Sequence, residues 1–415
     1  MITNFRIKFI LVMAVVSVVL CATISSAATV NLQLMTWAAP ENIEPIVAAF
    51  EKDYPNVDVE IIYEGNATFF DKLKVLIAGG VAPDVFLLPY ERVPEYASSG
   101  LLLDFTTISN NDDEFVSRKR DYQQFLLDGY TYQGRFYGMA WAFNPMCLYY
   151  NKNILDASGV PYPDKALSWD AFLDLAKKLT RKNGDTVTQW GFTWNWRWIE
   201  YIYQNGGGII DATGNKSLFN SPNTVQALQF IHDMLYQYEV APSPLLGLNG
   251  NTLFQEGDAA MHHDGGWKLR SYNDGAMRYD WGIGRLPKQV TEATLAFFDG
   301  HVAYAGTKYP NEAWNLVKYI AGPNGQEIVS KGNFLTVPVL RSIASKSIPV
   351  NQPVTEKLLA RLAQTEVARI QPVHVKQTTL AEILAEVEQV FRNEASPAQV
   401  VENVHNKLSV LLAEN

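Results

Sequence analysis

The sequence predicts an α/β protein of two lobes. Buried strands alternate with helices in the first part of the chain, an order that gives a parallel sheet with crossover helices. About 390 residues follow a predicted leader segment, more than a single hydrophobic core usually organises. Beyond the leader the only cysteine is Cys147. No internal disulfide can form, so the fold must depend on its cores.

Residues 1–27 are predicted to be a secretory signal peptide. A short basic region precedes an apolar run from Phe9 to Ala22, and small residues allow cleavage after Ala27 or Ala28. The run is short for a membrane span. No later segment is apolar enough to cross a bilayer, so we expect an exported protein, periplasmic or associated with the cell surface.

The charge balance argues against nucleic acid. The chain has 34 basic and 43 acidic residues, a net charge of −9. Two of the basic residues and none of the acidic ones lie in the predicted leader. Phosphate backbones require a basic surface, and we expect no nucleic-acid partner.

The N-terminal elements define the first sheet. VNLQLMTW is predicted to be a buried strand ending at Trp37, and ENIEPIVAAFEKDYP a helix with its apolar residues at helical spacing. VDVEIIYEG is a second strand, NATFFDKLKVLIAGG a second helix and PDVFLL a third strand. Ligands of such sheets lie beyond the carboxyl ends of the strands. Those ends are Trp37, the region of Glu64, and the segment 89–92.

Several later helices begin at recognisable caps. Ser168 precedes the amphipathic SWDAFLDLAKKLT, Ser221 precedes a helix with Pro222 in its first turn, and Ser396 precedes the C-terminal helix. NEAWNLVKYIA and TLAEILAEVEQVF are also predicted to be helical. No repeat or Pro/Ser-rich linker separates the lobes, so the chain is expected to pass between them more than once.

The stretch WGFTWNWRW has an unusual density of tryptophan. Trp194, Trp196 and Trp198 alternate with Asn195 and Arg197, and alternate residues of an extended strand share a face. A packed core is one interpretation. The other is a sugar site, because indole covers the C–H face of a sugar while amides and guanidinium groups bond its hydroxyls.

The sequence contains no recognisable catalytic or metal-binding motif. His262 and His263 are adjacent, so on a strand they point to opposite faces. HExxH, CxxC, an EF-hand loop and a phosphate-binding loop do not occur. Cys147 is expected to be a buried, unreactive thiol. We therefore expect no enzyme activity, no metal and no cofactor.

An ordered set of phrases resembles the family 1 extracellular solute-binding proteins, the maltodextrin-binding-like receptors of ATP-binding-cassette importers. These phrases are AGGVAPDVFLLPYERVPEYASSGLLLDFT, FYGMAWAFNPMCLYYNKNIL, LSWDAFLDLAKKLT, FQEGDAAMHHDGGW, PNEAWNLVKYIAGPNGQE and FLTVPVLRS. The resemblance implies a periplasmic-binding-protein-like fold, with two α/β lobes, a three-segment hinge and a central ligand cleft.

By position, the resemblance places three hinge crossings along the chain. They lie near Ala142–Cys147, Phe297–Ala303 and Asn333–Leu340. The first lobe is then formed by 28–142 and 298–336, and the second by 143–297 and 337–415.

The resemblance also suggests contact residues. Glu91 and Arg92 match the acid–arginine pair that often binds sugar hydroxyls, with a plain surface ion pair as the alternative. Trp267 matches an aromatic platform, and Asn144 stands where a maltodextrin binder has an acid. Leu88 replaces an aromatic residue of those binders, which argues against maltodextrin itself. The other ligand-contact candidates are Trp37, Glu64, Tyr90, Trp141, Trp194, Trp196, Gly266, Asp299 and His374, of which Trp37 and Trp141 are equally suited to a structural role.

The sequence as a whole predicts a monomeric carbohydrate receptor that delivers its ligand to a membrane permease by lobe closure. One alternative keeps the family but changes the ligand to a polyol or a sugar phosphate. Another is a secreted glycan-degrading enzyme, which would need an acid of raised pKa facing a second carboxylate across the cleft.

Overall fold

The computed structural model describes residues 29–194, 197–331, 337–344, 346, 367–369, 375 and 377–414. The predicted signal peptide, Trp196 and His374 lie outside these residues. Among the described residues, no helix combines the length and the apolar character needed to cross a membrane.

The N-terminal elements follow the predicted order. The strands β1, β2 and β3 are parallel, with β1 between the other two. Their connections are helices, and α1 buries Ile43, Ile46, Val47 and Phe50 on the predicted face. The bounds in this part of the chain are β1 Val30–Thr36, α1 Pro40–Asp53, β2 Val57–Tyr63, α2 Asn66–Ala78, β3 Val85–Pro89, α3 Val93–Ser98, α4 Thr106–Asn110, α5 Asp113–Arg118, α6 Gln124–Gly129, β4 Thr131–Tyr132 and β5 Arg135–Phe136.

The middle of the chain forms the second lobe and returns. Ser168 and Ser221 cap their helices as predicted, each accepting a hydrogen bond from a backbone N–H in the first turn. The bounds are β6 Gly138–Asn151, α7 Lys152–Ala157, α8 Trp169–Leu179, β7 Arg181–Asn183, β8 Thr186–Gln189, β9 Thr193–Trp194, α9 Ile199–Gln204, α10 Pro222–His232, α11 Gly250–Glu256, β10 Met261–Gly265, α12 Lys268–Ser271, β11 Trp281–Gly284 and β12 Thr294–Ala303.

The C-terminal elements are mostly helical. Ser396 caps the last helix as predicted. The predicted helix TLAEILAEVEQVF is instead two short helices, separated by a 3₁₀ turn at Ala385–Val387. The bounds are α13 Pro310–Ala321, α14 Pro323–Lys331, α15 Arg341–Ala344, β13 Ala368–Arg369, α16 Gln377–Leu384, α17 Glu388–Phe391 and α18 Pro397–Ala413.

Two long strands join the lobes. The sheet order is β2-β1-β3-β12-β6-β10-β9, with β11 also paired to β6. The first half of β6 pairs with β12 in the first lobe, and its second half pairs with β10 and β11 in the second. Successive residues of a strand face opposite sides. Met146 and Leu148 therefore enter one core of the second lobe, while Cys147 and Tyr149 enter another on the opposite face.

The chain passes between the two cores once in each of these strands. Along β6, Phe143 belongs to the first core and Met146 to the second. Along β12, Leu295 belongs to the second core and Ala296 to the first. The two strands are thus shared by both cores, which places them at the junction of the lobes.

Residues at the end of the third predicted crossing pack in the first core. Val337 and Leu340 are buried in the first core, and they form bridges to Phe143 and Tyr122 of that lobe. Val337 and Leu340 therefore pack with the first lobe, while the third crossing and its lobe boundary stay predictions.

Candidate functional site

The carboxyl ends of the three parallel strands meet on one wall of the first lobe. Trp37 follows β1 and packs edge-on against Phe69 and Phe70, with ring centroids 4.6 and 5.8 Å apart. Arg92 follows β3, and its guanidinium carbon lies 3.8 Å from the centre of the Phe70 ring. Trp37, Phe70 and Arg92 form a continuous surface because the helix after β2 brings Phe70 between the other two side chains.

Glu64 lies at the same edge but is already engaged. Its backbone N–H donates to the Thr36 carbonyl. Its carboxylate is 2.7 Å from the ammonium of Lys72 and accepts a hydrogen bond from the Thr68 hydroxyl. These two contacts hold the pKa of Glu64 below its usual value. The carboxylate is thus fixed as an anion at this end of the wall.

Two carboxyl groups lie together at the centre of the site. Asp299 pairs with Pro89 across β12 and β3, which brings it close to Glu91. Burial raises the pKa of Glu91 to about 8, and the neighbouring charge of Asp299 adds to the shift while Arg197 and Arg92 oppose it. Burial likewise raises the pKa of Asp299 to about 6. Both residues keep part of their surface accessible, as expected on the floor of a cleft.

The second lobe contributes a guanidinium and an indole. Arg197 lies over the ring of Phe297, 4.6 Å from its centre, and its charge acts on Glu91 of the first lobe. Trp267 meets the same Phe297 ring edge-on at 5.8 Å and is 40% exposed. Phe297, on the shared strand β12, thus connects Trp267 with the acid–arginine cluster.

Two glycines position Trp267. A Cβ on Gly265 would lie 2.2 Å from the indole, so the ring folds back over backbone that only glycine can offer. Gly266 is buried, and its N–H donates to the Pro145 carbonyl in β6. Asn144, the residue before Pro145, pairs with Phe297 in the sheet. Asn144 and Gly266 therefore lie beside the site at the junction of the lobes.

Two predicted contact residues lie in the first core instead. Tyr90 is fully buried, and its ring stacks on Phe298 with centroids 4.1 Å apart. Trp141 is also buried and packs near His301. The register of β6 against β12 shifts between Asp299 and Gly300, which leaves Trp141 as the extra residue of a bulge. Both rings pack in the first core, and a ligand contact by either one stays a prediction.

In the tryptophan-rich stretch, most of the side chains that the structure describes lie in the hydrophobic core. Trp194 is 2% exposed and packs among Phe192, Tyr201 and Phe391. Trp198 packs against the same core. Trp194 nevertheless borders a cavity of about 360 Å³ in the second lobe, next to Trp267. Trp196 and His374 lie outside the described residues, so their roles stay predictions.

Sequence reasoning missed Phe70 and Phe297 as parts of the site and gave Arg197 no specific partner. Phe70 follows Phe69 in a helix, and helical spacing does not indicate which of two adjacent rings leaves the core. Phe297 is followed by Phe298 in its strand, and the sequence does not indicate which of the two rings faces the site. Only the pairing of β12 with β3 and β6 brings these side chains together.

The lobes also meet at the edge of the site. Arg270, one helical turn after Trp267, places a guanidinium nitrogen 3.4 Å from a carboxylate oxygen of Glu41. Glu41 belongs to α1, the helix that follows Trp37. Both side chains are more than a third exposed, so the pair is weak. Its position shows that the two walls approach each other here.

The described residues offer no site for a metal ion, since no group of three or more His, Cys, Asp or Glu side chains converges among them. Two acids, Glu91 and Asp299, lie at the centre of the site, and arginine side chains lie beside them. Charged groups of both signs beside aromatic faces suit a polar organic ligand with an apolar face.

Comparison with known proteins identifies relatives with this architecture. The family model described as bacterial extracellular solute-binding protein matches residues 45–355. A maltotriose-binding protein of Pyrococcus abyssi is 25% identical over 72% of this chain and 63% of its own length. The chain thus spans less than two thirds of that relative. A galactooligosaccharide-binding protein of Bacillus subtilis is 25% identical over 81% of this chain and 78% of its own.

A solved structure has the same fold. The ABC substrate-binding protein Lmo0181 from Listeria monocytogenes, in complex with cycloalternan, superposes with a TM-score of 0.80 and 25% identity. The match covers 93% of this chain and 99% of that one. The two lobes, the shared strands and the cleft between them are thus an arrangement found in a sugar-bound protein.

Proposed function

The chain belongs to the family of bacterial extracellular solute-binding proteins, and from this premise we propose that it captures a sugar or oligosaccharide between its lobes and delivers it to an ATP-binding-cassette permease. The observation that carries the proposal is the row of side chains across the cleft. Aromatic faces from both lobes, at Trp37 and Trp267, flank a centre made of Glu91, Asp299 and Arg197.

This row matches the chemistry of a sugar ring. Indole covers the apolar C–H face, while carboxyl and guanidinium groups form hydrogen bonds with hydroxyls. Glu91 and Asp299 come from the first lobe and Arg197 from the second, so a ligand at the centre contacts both. Simultaneous contact favours the closed arrangement and couples binding to closure.

The names of the relatives support the ligand class. The two relatives are described as binding maltotriose and galactooligosaccharides, and the Listeria monocytogenes protein was solved with cycloalternan. We propose an oligosaccharide for this chain and assign no linkage. The description of the Listeria monocytogenes protein as an ABC substrate-binding protein supports the permease as the partner, and the family description supports an extracytoplasmic location. Action as a monomer is part of the proposal.

The geometry disfavours the two alternatives. A glycosidase needs two carboxyl groups on opposite sides of the scissile bond, whereas Glu91 and Asp299 come from neighbouring strands of one wall. A phosphate site needs several converging cations. Here Arg197 faces a pair of acids, and Arg92 lies 3.9 Å from the carboxylate of Glu95.

The proposal is tested with the mature protein and a panel of monosaccharides and maltooligo-, galactooligo- and arabinooligosaccharides. Binding is measured by thermal shift and then by calorimetry, since a ligand of the folded state raises the unfolding temperature. At least one member should bind and stabilise. Reducing-end release is followed on the same samples. Failure of every sugar to bind, or steady hydrolysis abolished by Glu91→Gln, would overturn the receptor function.

A further inference from the structure

A buried pair of ionisable side chains lies in the core of the second lobe. Glu200 of α9 and His263 of β10 are both 0% exposed, and a carboxylate oxygen of Glu200 lies 3.4 Å from Nε2 of His263. Among the described residues, no third residue forms a hydrogen bond with the carboxylate oxygens or with the imidazole nitrogens. Their contact with each other is thus the polar interaction that the fold provides for both groups.

The energetic cost of burial makes stability a poor explanation for this pair. Taking a carboxylate out of water is costly, and attraction to a buried partner often does no more than offset that cost. Apolar side chains of similar size would fill the same space without the cost. They would, however, lack a preferred separation, whereas a polar contact favours one distance between two elements. The pair is therefore suited to specify one placement of α9 against β10.

Both elements lead directly to side chains of the site. The helix α9 begins two residues after Arg197, and the strand β10 ends two residues before Trp267. Arg197 and Trp267 meet on the ring of Phe297, at 4.6 and 5.8 Å from its centre. A shift of α9 along β10 would therefore change where the guanidinium lies relative to the indole.

The far end of α9 has a second polar anchor. Gln204 is 1% exposed. Its amide oxygen accepts a hydrogen bond from the indole N–H of Trp169 at 3.0 Å, and its Nε2 donates to the carbonyl of Ala293 at 3.1 Å. Ala293 directly precedes β12, the strand that carries Asp299. The helix is thus tied to both strands that reach the site.

We propose that Glu200 and His263 are positioning residues, which fix α9 against β10 and thereby hold Arg197 where its guanidinium meets a ligand hydroxyl. The inference rests on the proposed function and deepens it, because it assigns part of the affinity to two residues buried behind the cleft. A binding group must be held within about 0.5 Å of its productive place. The length of the Glu200 side chain, more than its charge, then decides the affinity.

The test compares variants that change this contact in different ways. Glu200→Gln keeps the length of the side chain and an oxygen that accepts a hydrogen bond, but it removes the charge. Glu200→Asp keeps the charge and shortens the side chain, so either α9 moves or the contact breaks. The double variant Glu200→Leu with His263→Leu replaces the pair by apolar side chains. Calorimetry measures affinity for a sugar that binds the parent, and urea unfolding measures stability.

A matched control lies on the surface of the same lobe. Glu239 forms an exposed ion pair with Lys182, so Glu239→Asp shortens an acid in the same way at a place that no element connects to Arg197. This variant should bind the sugar as tightly as the parent does.

Glu200→Gln should bind the sugar within about twofold of the parent, whereas Glu200→Asp and the double variant should bind it about fivefold or more weakly, because a displaced guanidinium loses a charged hydrogen bond. The double variant should keep or raise the urea midpoint, since apolar replacement of a buried ion pair is often neutral or stabilising. A pair with a merely structural role would change the midpoint and leave the affinity intact.

Parent-like affinity in Glu200→Asp would overturn the positioning role, and so would a loss in Glu200→Gln as large as the loss in Glu200→Asp. Either result would leave the receptor function standing. If the double variant does not unfold cooperatively, the comparison of Glu200→Gln with Glu200→Asp decides alone. A parent that binds no sugar would overturn the receptor function, and the inference with it.

Discussion

Trp267 is the residue for which we propose the most direct contact with the ligand. Its indole folds over Gly265, borders the cavity and touches Phe297. Because 40% of its surface remains exposed, the fold gains less hydrophobic stabilisation from it than from a fully buried tryptophan. Its large aromatic face is instead available to a ligand.

Trp267→Ala should therefore weaken sugar binding more than it weakens the fold. Loss of a buried aromatic anchor costs about 2 kcal/mol or more in affinity, roughly a thirtyfold rise in the dissociation constant. Calorimetry with the cognate sugar and a denaturant midpoint measure the two effects. Trp314→Phe, at a buried tryptophan of the first core, is the control and should lower the midpoint without changing affinity. Intact affinity in Trp267→Ala would remove this residue from the site.

Glu91 should make the stability of the ligand-free protein fall as pH rises. Burial raises its pKa in the folded state to about 8, so between the unfolded pKa and that value the folded state binds more protons than the unfolded one. Unfolding free energy then decreases with pH across this window. Unfolding temperatures at pH 5 and pH 8 should differ less in Glu91→Gln than in the parent. Identical profiles would mean that Glu91 titrates normally.

At the scale of elements, Asp112 connects two helices of the first lobe. One carboxylate oxygen accepts the Phe115 N–H and caps α5. The other accepts hydrogen bonds from Trp314 and Lys318 of α13, each at 2.8 Å. Burial opposes ionisation, but the hydrogen bonds from Lys318, the Phe115 N–H and Trp314 outweigh it and hold the pKa of Asp112 below its usual value.

Asp112→Ala should lower the unfolding free energy by about 2 kcal/mol or more, since a cap alone contributes about 0.5–2 kcal/mol and a charged hydrogen bond adds to it. A depressed folded pKa gives stability that is present above the unfolded pKa and lost as pH falls through the folded one. The difference between parent and variant in urea titrations should thus shrink at acid pH. Asp112→Asn keeps a capping oxygen, so it should lower the unfolding free energy less than Asp112→Ala does. An equal decrease of the unfolding free energy in both variants would show that the charge of Asp112 does not contribute to stability.

Local sequence patterns predicted most elements but not their long-range placement. The serine caps at 168, 221 and 396 and the apolar face of α1 follow from short-range rules. The bulge that turns Trp141 into the core depends on the register of β6 against β12, whose residues are far apart in sequence. Glu91 and Arg92 could be predicted because they directly follow a strand. Phe297 could not, because its neighbours come from other segments.

At the scale of the molecule, the shared strands β6 and β12 leave the lobes free to change their mutual orientation about one junction. The Glu41–Arg270 pair is exposed and weak, so it does not hold the lobes together by itself. A ligand that contacts Glu91 and Arg197 at once favours the closed orientation. The resemblance in sequence predicted this architecture.

A cognate sugar should therefore reduce the radius of gyration in solution scattering. The comparison is made at saturating ligand, with a sugar that gives no thermal shift as the control at the same concentration. The control should leave the radius unchanged. An equal radius with and without a bound cognate sugar would contradict closure and leave binding intact.

The position of β12 also has a consequence for how the chain is made and exported. In the first sheet, β12 lies between β3 and β6, so the edge of β3 stays unpaired until residue 303 has been synthesised. The N-terminal segment therefore cannot complete its lobe as it leaves the ribosome, because non-local pairing must wait for distant residues. The edge of β3 therefore stays open through most of translation, and an open strand edge is prone to aggregation and requires protection, for example by chaperones.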